Sequence, residues 1–429
     1  MFKSEIDVTN WIYSFKRTIP KRSLDHLREF LATIDNPHLK LKTIHVAGTN
    51  GKGSTVAYMR QAFMESGYKV ATFTSPFITC FGERMSINKI PMPEDKLIYY
   101  AHQLKNLLSD PTLATSLGAY TSFDVITLIS FLYFLDEEVD IAIYETGIGG
   151  RLDSTNVIKP LATAITNVGH DHADVLGETQ LERALEKLGI VKKDIPLFTT
   201  EEDPILILEF GKVCYQKKAE IYHALKDAQM QGMDIKGITF DWGLYHDLQI
   251  EMYGRHQFKN ASLALSVLEY LRSECIYFDK LDPTTITKTK WPGRFEHIRR
   301  GDRPVILDGA HNIEGIQTLI ETIEELYPDY QIYFLFSAIQ TKDATKMLDL
   351  LKEYTRFVTV TSNSHHLSID PVLLSKHIDE EIVYTDYRTA LEGELEGILN
   401  DTVLVICGSL YFVSDARRYL LEEDGRFFI

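Results

Sequence analysis

Residues 44–74 read IHVAGTNGKGSTVAYMRQAFMESGYKVATFT. An apolar run at Ile44–Ala47 ends in a turn carrying Gly48, Gly51 and Gly53. Helical periodicity follows, and a second apolar run closes the stretch at Lys69–Thr74, the pattern of a βαβ unit. The glycine turn therefore lies at a strand-to-helix junction, where backbone N–H groups and the positive end of a helix dipole converge. Gly48, Gly51 and Gly53 let the backbone close around phosphate oxygens without Cβ clashes; Thr49 and Asn50 complete the turn, Lys52 reaches outer phosphates and Ser54 can touch a magnesium ion. A glycine-rich turn with a surface lysine is the alternative. The order of strand, glycines, lysine, hydroxyl and helix favours a nucleotide seat.

Outward from this stretch, the apolar runs Val139–Glu145, Leu161–Asn167 and Ile195–Thr199 alternate with helical segments such as SFDVITLISFLYFLDEE from Ser122, as in a doubly wound parallel sheet. Residues 230–254 read as β-hairpins and 256–274 as a helix. Turn-formers and charges interrupt the pattern at Trp291–Pro304, WPGRFEHIRRGDRP, after which strand signals restart in VILDG, QIYFLF, FVTV, IVY and VLVICGS. Two domains are expected, 1–292 and 293–429, the second a smaller α/β domain of five or six strands.

The 429 residues, 45% of them hydrophobic, can form two cores. A formal net charge of −16 argues against a duplex-nucleic-acid binder and against a polybasic membrane protein, both of which need a positive footprint, so no nucleic-acid or membrane partner is expected. The four cysteines are scattered, without zinc spacing, and read as reduced thiols. The N terminus lacks a signal-peptide core, and the longest apolar stretch, Val125–Leu135, is too short to span a bilayer. A cytoplasmic protein is expected.

The phosphate loop departs from the general form G-x-x-x-x-G-K-[ST]: Val46 stands at the first glycine position and Gly53 separates Lys52 from Ser54. Its shorter form, GTNGKGS, resembles that of the ATP-dependent amide ligases that include the Mur ligases. Further along, TSPF (Thr74–Phe77), GERM (Gly82–Met85), ETGIGGRLDSTN (Glu145–Asn156), ITNVGHDH (Ile165–His172), EKLGI (Glu186–Ile190), GRHQFKNASLAL (Gly254–Leu265), WPGRFE (Trp291–Glu296), DGAHN (Asp308–Asn312) and GSLYF (Gly408–Phe412) resemble, in order, the folylpolyglutamate synthase/dihydrofolate synthase family. The resemblance implies a Mur-ligase-like α/β architecture: an N-terminal P-loop ATPase domain with a mostly parallel sheet, and a smaller Rossmann-like C-terminal domain.

It also implies roles. Glu145 ends a strand at the carboxyl edge, where open α/β sheets place ligand chemistry, and reads equally as a solvated strand-end acid. The family makes it a magnesium ligand with Ser75 and His172; His170 stands where the family has an apolar residue and is read as a loop residue. By pattern, Lys187 is a solvent-facing helix lysine; by resemblance it is carbamylated and catalytic, together with Lys52 and His172. Leu188 replaces the family's alanine and is expected to crowd that helix. Asn260 is placed against adenine by the family, and reads equally as a helix cap. Arg294, Asp308 and His311 resemble the set that grips ATP phosphate and positions the incoming amino acid, though DGAHN alone is also a turn with a helix cap. Phe77 and Arg84 are assigned to the folate, and Ser409, equally an N-cap, to the glutamate pocket.

The implied reaction adds L-glutamate to the γ-carboxyl of folates through an acyl phosphate, with ATP and Mg2+. Dihydrofolate synthesis from dihydropteroate is the alternative; Phe77, where bifunctional members carry histidine, leans towards polyglutamylation. A non-catalytic ATP-driven switch is the remote alternative. The chain is expected to be a monomer. Ser337 and Thr341 stand where the family has glycine and aspartate, and Asn363–Ser368 lacks its arginine–alanine pair, so a differently built C-terminal glutamate pocket is expected.

Overall fold

The computed structural model describes residues 2–16, 23–110, 120–171, 173–299, 303–340, 343–377, 383–397 and 399–423. The chain forms two compact units, Met1–Ala228 with Lys259–Ile286, and Gln229–Phe258 with Thr287–Ile429. The hairpin segment after residue 228 thus groups with the C-terminal unit, whereas the sequence reading drew one cut at 292/293.

The first unit is built on a seven-stranded sheet: β1 Thr43–Ala47, β2 Val70–Phe73, β3 Met85–Ile87, β4 Ile141–Glu145, β5 Ala162–Ile165, β6 Leu197–Thr199 and β7 Ile221–His223, in the order β3-β2-β4-β1-β5-β6-β7. Every pairing is parallel except β2 with β3. All five residues of β1 are buried, as expected where helices cover both faces of a parallel sheet. The helix Lys52–Glu65 buries ten of its fourteen residues against this sheet. The apolar run expected to be a helix spans Ser122–Asp136 and starts in a reciprocal capping box between Thr121 and Asp124. It is apolar all round because it is a core helix, and among the described residues no helix is long and apolar enough to cross a membrane.

Because β2, β4, β1 and β5 are neighbouring parallel strands, their carboxyl ends deliver four loops to one edge of the sheet. Those loops begin at Thr74, Thr146, Gly48 and Thr166.

In the second unit, β8 Ala228–Asp234, β9 Gly237–Trp242 and β10 Tyr245–Ile250 form the expected antiparallel hairpins. A six-stranded sheet follows: β11 Glu296–Arg299, β12 Val305–Leu307, β13 Gln331–Phe336, β14 Val358–Thr361, β15 Val383–Tyr384 and β16 Thr402–Cys407, ordered β11-β12-β16-β13-β14-β15. Only β11 is antiparallel. It lies in the stretch read as an interruption, because an edge strand with four half-buried, mostly polar residues carries no apolar signal. The loops after β12, β16, β13 and β14 share one edge, which collects Asp308, Ser409, Ser337 and Asn363.

Candidate active site

In the first unit the glycine loop is braced by the loop after β5. Thr49 N–H donates to the Asn167 carbonyl at 3.0 Å and Asn50 N–H to Asn167 Oδ1 at 3.0 Å. Thr166 Oγ1 donates to the Asn50 carbonyl at 2.6 Å, and Gly169 N–H to Thr49 Oγ1 at 2.9 Å. These contacts take up two loop amides, while the amides of Lys52, Gly53 and Ser54 open a helix that has no side-chain cap. Gly48 has φ +152°, and a Cβ there would lie 1.8 Å from Thr166 Oγ1. Gly51 has φ +84°, and its Cβ would lie 2.2 Å from Asn260 Oδ1. The Lys52 ammonium donates to the carbonyls of Gly48 and Thr49, at 2.9 and 3.0 Å, so the loop itself holds it.

Asn260 is not a helix cap. Its helix begins five residues earlier, at Arg255, and the side chain, 4% exposed, packs against the phosphate loop.

Glu145 is buried rather than solvated, and its Oε2 accepts from Ser75 N–H at 3.2 Å. Two of the three expected magnesium ligands are therefore in direct contact; the third, His172, lies outside the described residues, while His170 is exposed. Among the described residues no three His, Cys, Asp or Glu side chains cluster as a metal site. Magnesium needs no such cluster, since it binds through one or two protein oxygens and keeps its waters, and a buried carboxylate beside a serine suits it.

Lys187 departs from the pattern reading in a decisive way: it is 2% exposed. The glycine turn after Glu145 packs on its stretch of helix. A Cβ at Gly150 would lie 2.9 Å from the carbonyls of Glu186 and Lys187, and Arg151 N–H donates to the Glu186 carbonyl at 2.7 Å. Leu188 does not crowd the helix; it belongs to a core cluster with Ala184, Ile190, Leu206 and Phe210.

Arg84 is half-buried, its guanidinium 5.4 Å from the Phe77 ring centre and 5.7 Å from that of Phe81, so the two residues assigned to folate are adjacent.

Three residues that the sequence reading did not single out organise this edge. Asn167 braces the phosphate loop. Asp153 accepts from the amides of Gly147, Ile148 and Thr155, at 2.8, 3.2 and 3.0 Å, and so shapes the turn after Glu145; burial raises its pKa against those bonds. Arg183, 4% exposed, donates to the carbonyls of Gly169, Gly177 and Glu178 and ties together the ends of the loop containing His170. The Asp-Ser-Thr order at 153–155, which marks an Asx turn, was the one legible signal.

In the second unit Asp308 is half-buried; its carboxylate accepts from Phe295 N–H and Ala310 N–H, each at 2.8 Å. Burial raises its pKa, and the Arg294 charge and these bonds oppose the rise. His311 Nδ1 donates to the Gly309 carbonyl at 2.7 Å, and Asn312 caps the helix Ile313–Leu326 through Gly315 N–H. DGAHN thus forms the turn with a helix cap that its pattern offered. Ser409 caps the helix Leu410–Arg418 through Tyr411 N–H at 3.2 Å. The two segments that depart from the family pattern meet: Asn363 Nδ2 donates to Ser337 Oγ at 2.9 Å, while Thr341 lies outside the described residues.

Burial, and next the Arg294 charge, push His256 down to about 4. The unfolded chain, with an ordinary value near 6.5, takes up this proton first, so stability should fall as pH drops from about 6.5 to about 4 and level off below. The window corresponds to roughly 3 kcal/mol. Denaturant melts of His256→Gln beside the parent should show a shallower pH slope in the variant; parallel curves would remove His256 from the linkage.

Comparison with known proteins gives the family of the chain. The Mur ligase middle domain matches residues 46–268, and the Mur ligase glutamate ligase domain matches 293–410. The chain is 35% identical to a dihydrofolate synthase/folylpolyglutamate synthase of Bacillus subtilis, over 98% of this chain and all of that one. It is 30% identical to the folylpolyglutamate synthase of Lacticaseibacillus casei, over 96% and 97%. Among solved structures, the folylpolyglutamate synthase of Thermotoga maritima superposes with a TM-score of 0.81 at 28% identity, covering 98% and 97% of the two chains. An FPGS–AMPPCP–folate complex gives 0.81 at 27%, covering 97% and 99%. With its phosphate loop, its buried Glu145 and Lys187 and its DGAHN turn in family order, the chain belongs to the folylpolyglutamate synthase/dihydrofolate synthase group of the Mur ligase family, the ATP-dependent amide-forming ligases.

Proposed function

We propose that this chain adds L-glutamate to the γ-carboxyl of reduced folates in the cytoplasm, acting as a monomer. The observation that carries the reading is the convergence, at one edge of the first sheet, of the phosphate loop, the Glu145–Ser75 pair and the turn packed on Lys187.

A carboxylate does not condense with an amine in water until one of its oxygens becomes a leaving group. The folate γ-carboxylate attacks the γ-phosphorus of ATP, giving an acyl phosphate and ADP; the glutamate amine then attacks the acyl carbon, and phosphate leaves through a tetrahedral intermediate. The first-turn amides of the helix Lys52–Glu65 hold phosphate oxygens, and the Lys52 ammonium exchanges its loop carbonyls for phosphate as charge develops. Ser75, Glu145 and His172 would hold magnesium, which when bound supplies a Lewis acid for the phosphates. Lys187 as a carbamate, formed from its neutral amine and CO2 with loss of a proton, presents an anionic oxygen. Asn260 contacts adenine, Phe77 and Arg84 hold the folate, Arg294 and Asp308 position ATP, and His311 and Ser409 receive the incoming glutamate.

A second reading, bifunctional activity that also converts dihydropteroate, is favoured by the name of the Bacillus subtilis relative, which matches end to end. Phosphate release with ATP, magnesium and L-glutamate, tested on tetrahydrofolate and on dihydropteroate with products weighed by mass spectrometry, separates the two. Glutamate added to tetrahydrofolate alone supports the first, and addition to both acids supports the second. ATP hydrolysis indifferent to either acid would overturn both.

A further inference from the structure

We propose that Gly309 is a positioning residue whose missing side chain forms the seat of the Arg294 guanidinium. The proposal rests on the reading that Arg294 serves the reaction, and it assigns a role to a residue that itself touches no substrate.

The backbone on either side of Arg294 is pinned to the dipeptide Asp308–Gly309. Gly309 N–H donates to the Gly293 carbonyl at 2.8 Å, and Phe295 N–H donates to Asp308 Oδ2 at 2.8 Å. The turn is bent to achieve this: Gly293 has φ +68° and Phe295 φ +46°, the latter a left-handed conformation that a bulky L residue adopts only when its surroundings impose it. Phe295 is 2% exposed and packs at 5.6 Å between ring centres from Tyr253, which supplies that constraint. Gly293 N–H in turn donates to Glu296 Oε2 at 2.8 Å, and Glu296 is held by Arg417 Nε.

With the backbone fixed on both sides, the arginine side chain lies across the face of Gly309. A Cβ there would fall 2.5 Å from Arg294 Nη1 and 2.2 Å from Leu410 Cδ2. Both atoms are far ends of flexible side chains, so an added methyl displaces them and leaves the turn's backbone bonds intact. The Gly309 carbonyl meanwhile accepts from His311 Nδ1 at 2.7 Å. One small residue thereby sets where the cation stands and which His311 nitrogen keeps its proton.

The test uses the full chain and measures kcat/KM for ATP together with the thermal midpoint. Gly309→Ala should lose on the order of 10²-fold in kcat/KM, the effect of misplacing a group by about an ångström, with a near-parental midpoint. In an Arg294→Ala background the same substitution should change kcat/KM no further. Leu410→Ala, which relieves the second overlap only, should behave like the parent alone and should not restore activity to Gly309→Ala. An equal loss from Gly309→Ala with and without Arg294, or restoration by Leu410→Ala, would overturn the proposal. Parental activity of Arg294→Ala would instead overturn the assignment of Arg294 to the reaction. The seat would then be judged from a crystal structure of Gly309→Ala, where an unmoved guanidinium rejects it and a displaced one supports it.

Discussion

Gly48→Ala is expected to abolish useful ATP binding, lowering kcat/KM for ATP by roughly 10²- to 10³-fold. The added Cβ would stand 1.8 Å from Thr166 Oγ1, 3.0 Å from Thr166 Cβ and 3.3 Å from its backbone nitrogen, on a residue at φ +152°. Neither partner can yield locally. Thr166 follows β5 directly, and its N–H donates to the Ala47 carbonyl at 3.0 Å. The loop must therefore lift away from Asn167 and disturb the helix end that follows. Thr166→Gly in the same chain removes the two nearest overlaps and should recover part of the loss. Equilibrium binding of an ATP analogue decides the matter: parental affinity in Gly48→Ala would show that the loop does not need this close approach.

Lys187→Ala is expected to lower turnover by roughly 10²- to 10³-fold, while ATP affinity stays near the parental value. The residue is 2% exposed and sits on the helix Gln180–Leu188, against which the turn after Glu145 packs. Truncating a buried side chain also leaves a cavity, so Lys187→Met, which keeps most of the volume without the nitrogen, should lose turnover equally while retaining the thermal midpoint. If the amine works as a carbamate, the parent should lose turnover in CO2-depleted buffer and regain it with bicarbonate, whereas Lys187→Met should ignore both. Unchanged turnover in the two variants would take Lys187 out of the mechanism.

The two residues differ in how visible they were. Gly48 could be read from its neighbours, because strand, glycine turn and helix are local patterns and a phosphate loop is built from consecutive residues. Lys187 could not. Its helix has charged and apolar residues at helical spacing, which describes a half-exposed helix without saying which lysine turns inward. Glu145 and Asn260 were ambiguous for the same reason. The first is buried by the strands on either side and bonded to Ser75, seventy positions earlier. The second packs on Gly51, more than two hundred positions away. The braces Asn167 and Arg183 act through backbone amides and carbonyls of other segments, and such partners have no sequence signature, whereas Asp153 shows in the sequence only through its Asx turn with Thr155. The edge strand β11 lies in the stretch read as an interruption because its half-buried, mostly polar residues obey no apolar alternation.

The amino-acid order by itself determined the alternation of strands and helices, the parallel character of the first sheet, the position of the phosphate loop and the family. These follow from hydrophobic periodicity, glycine placement and motif order, which are properties of neighbouring residues. The tertiary structure alone decided that Lys187 and Glu145 are buried, that Asn260 supports the phosphate loop, that the hairpins at 228–250 group with the C-terminal unit, and that Gly309 lies under Arg294. Each depends on groups far apart in the chain meeting within a few ångströms, and burial, contact distance and charge environment exist only once they have met.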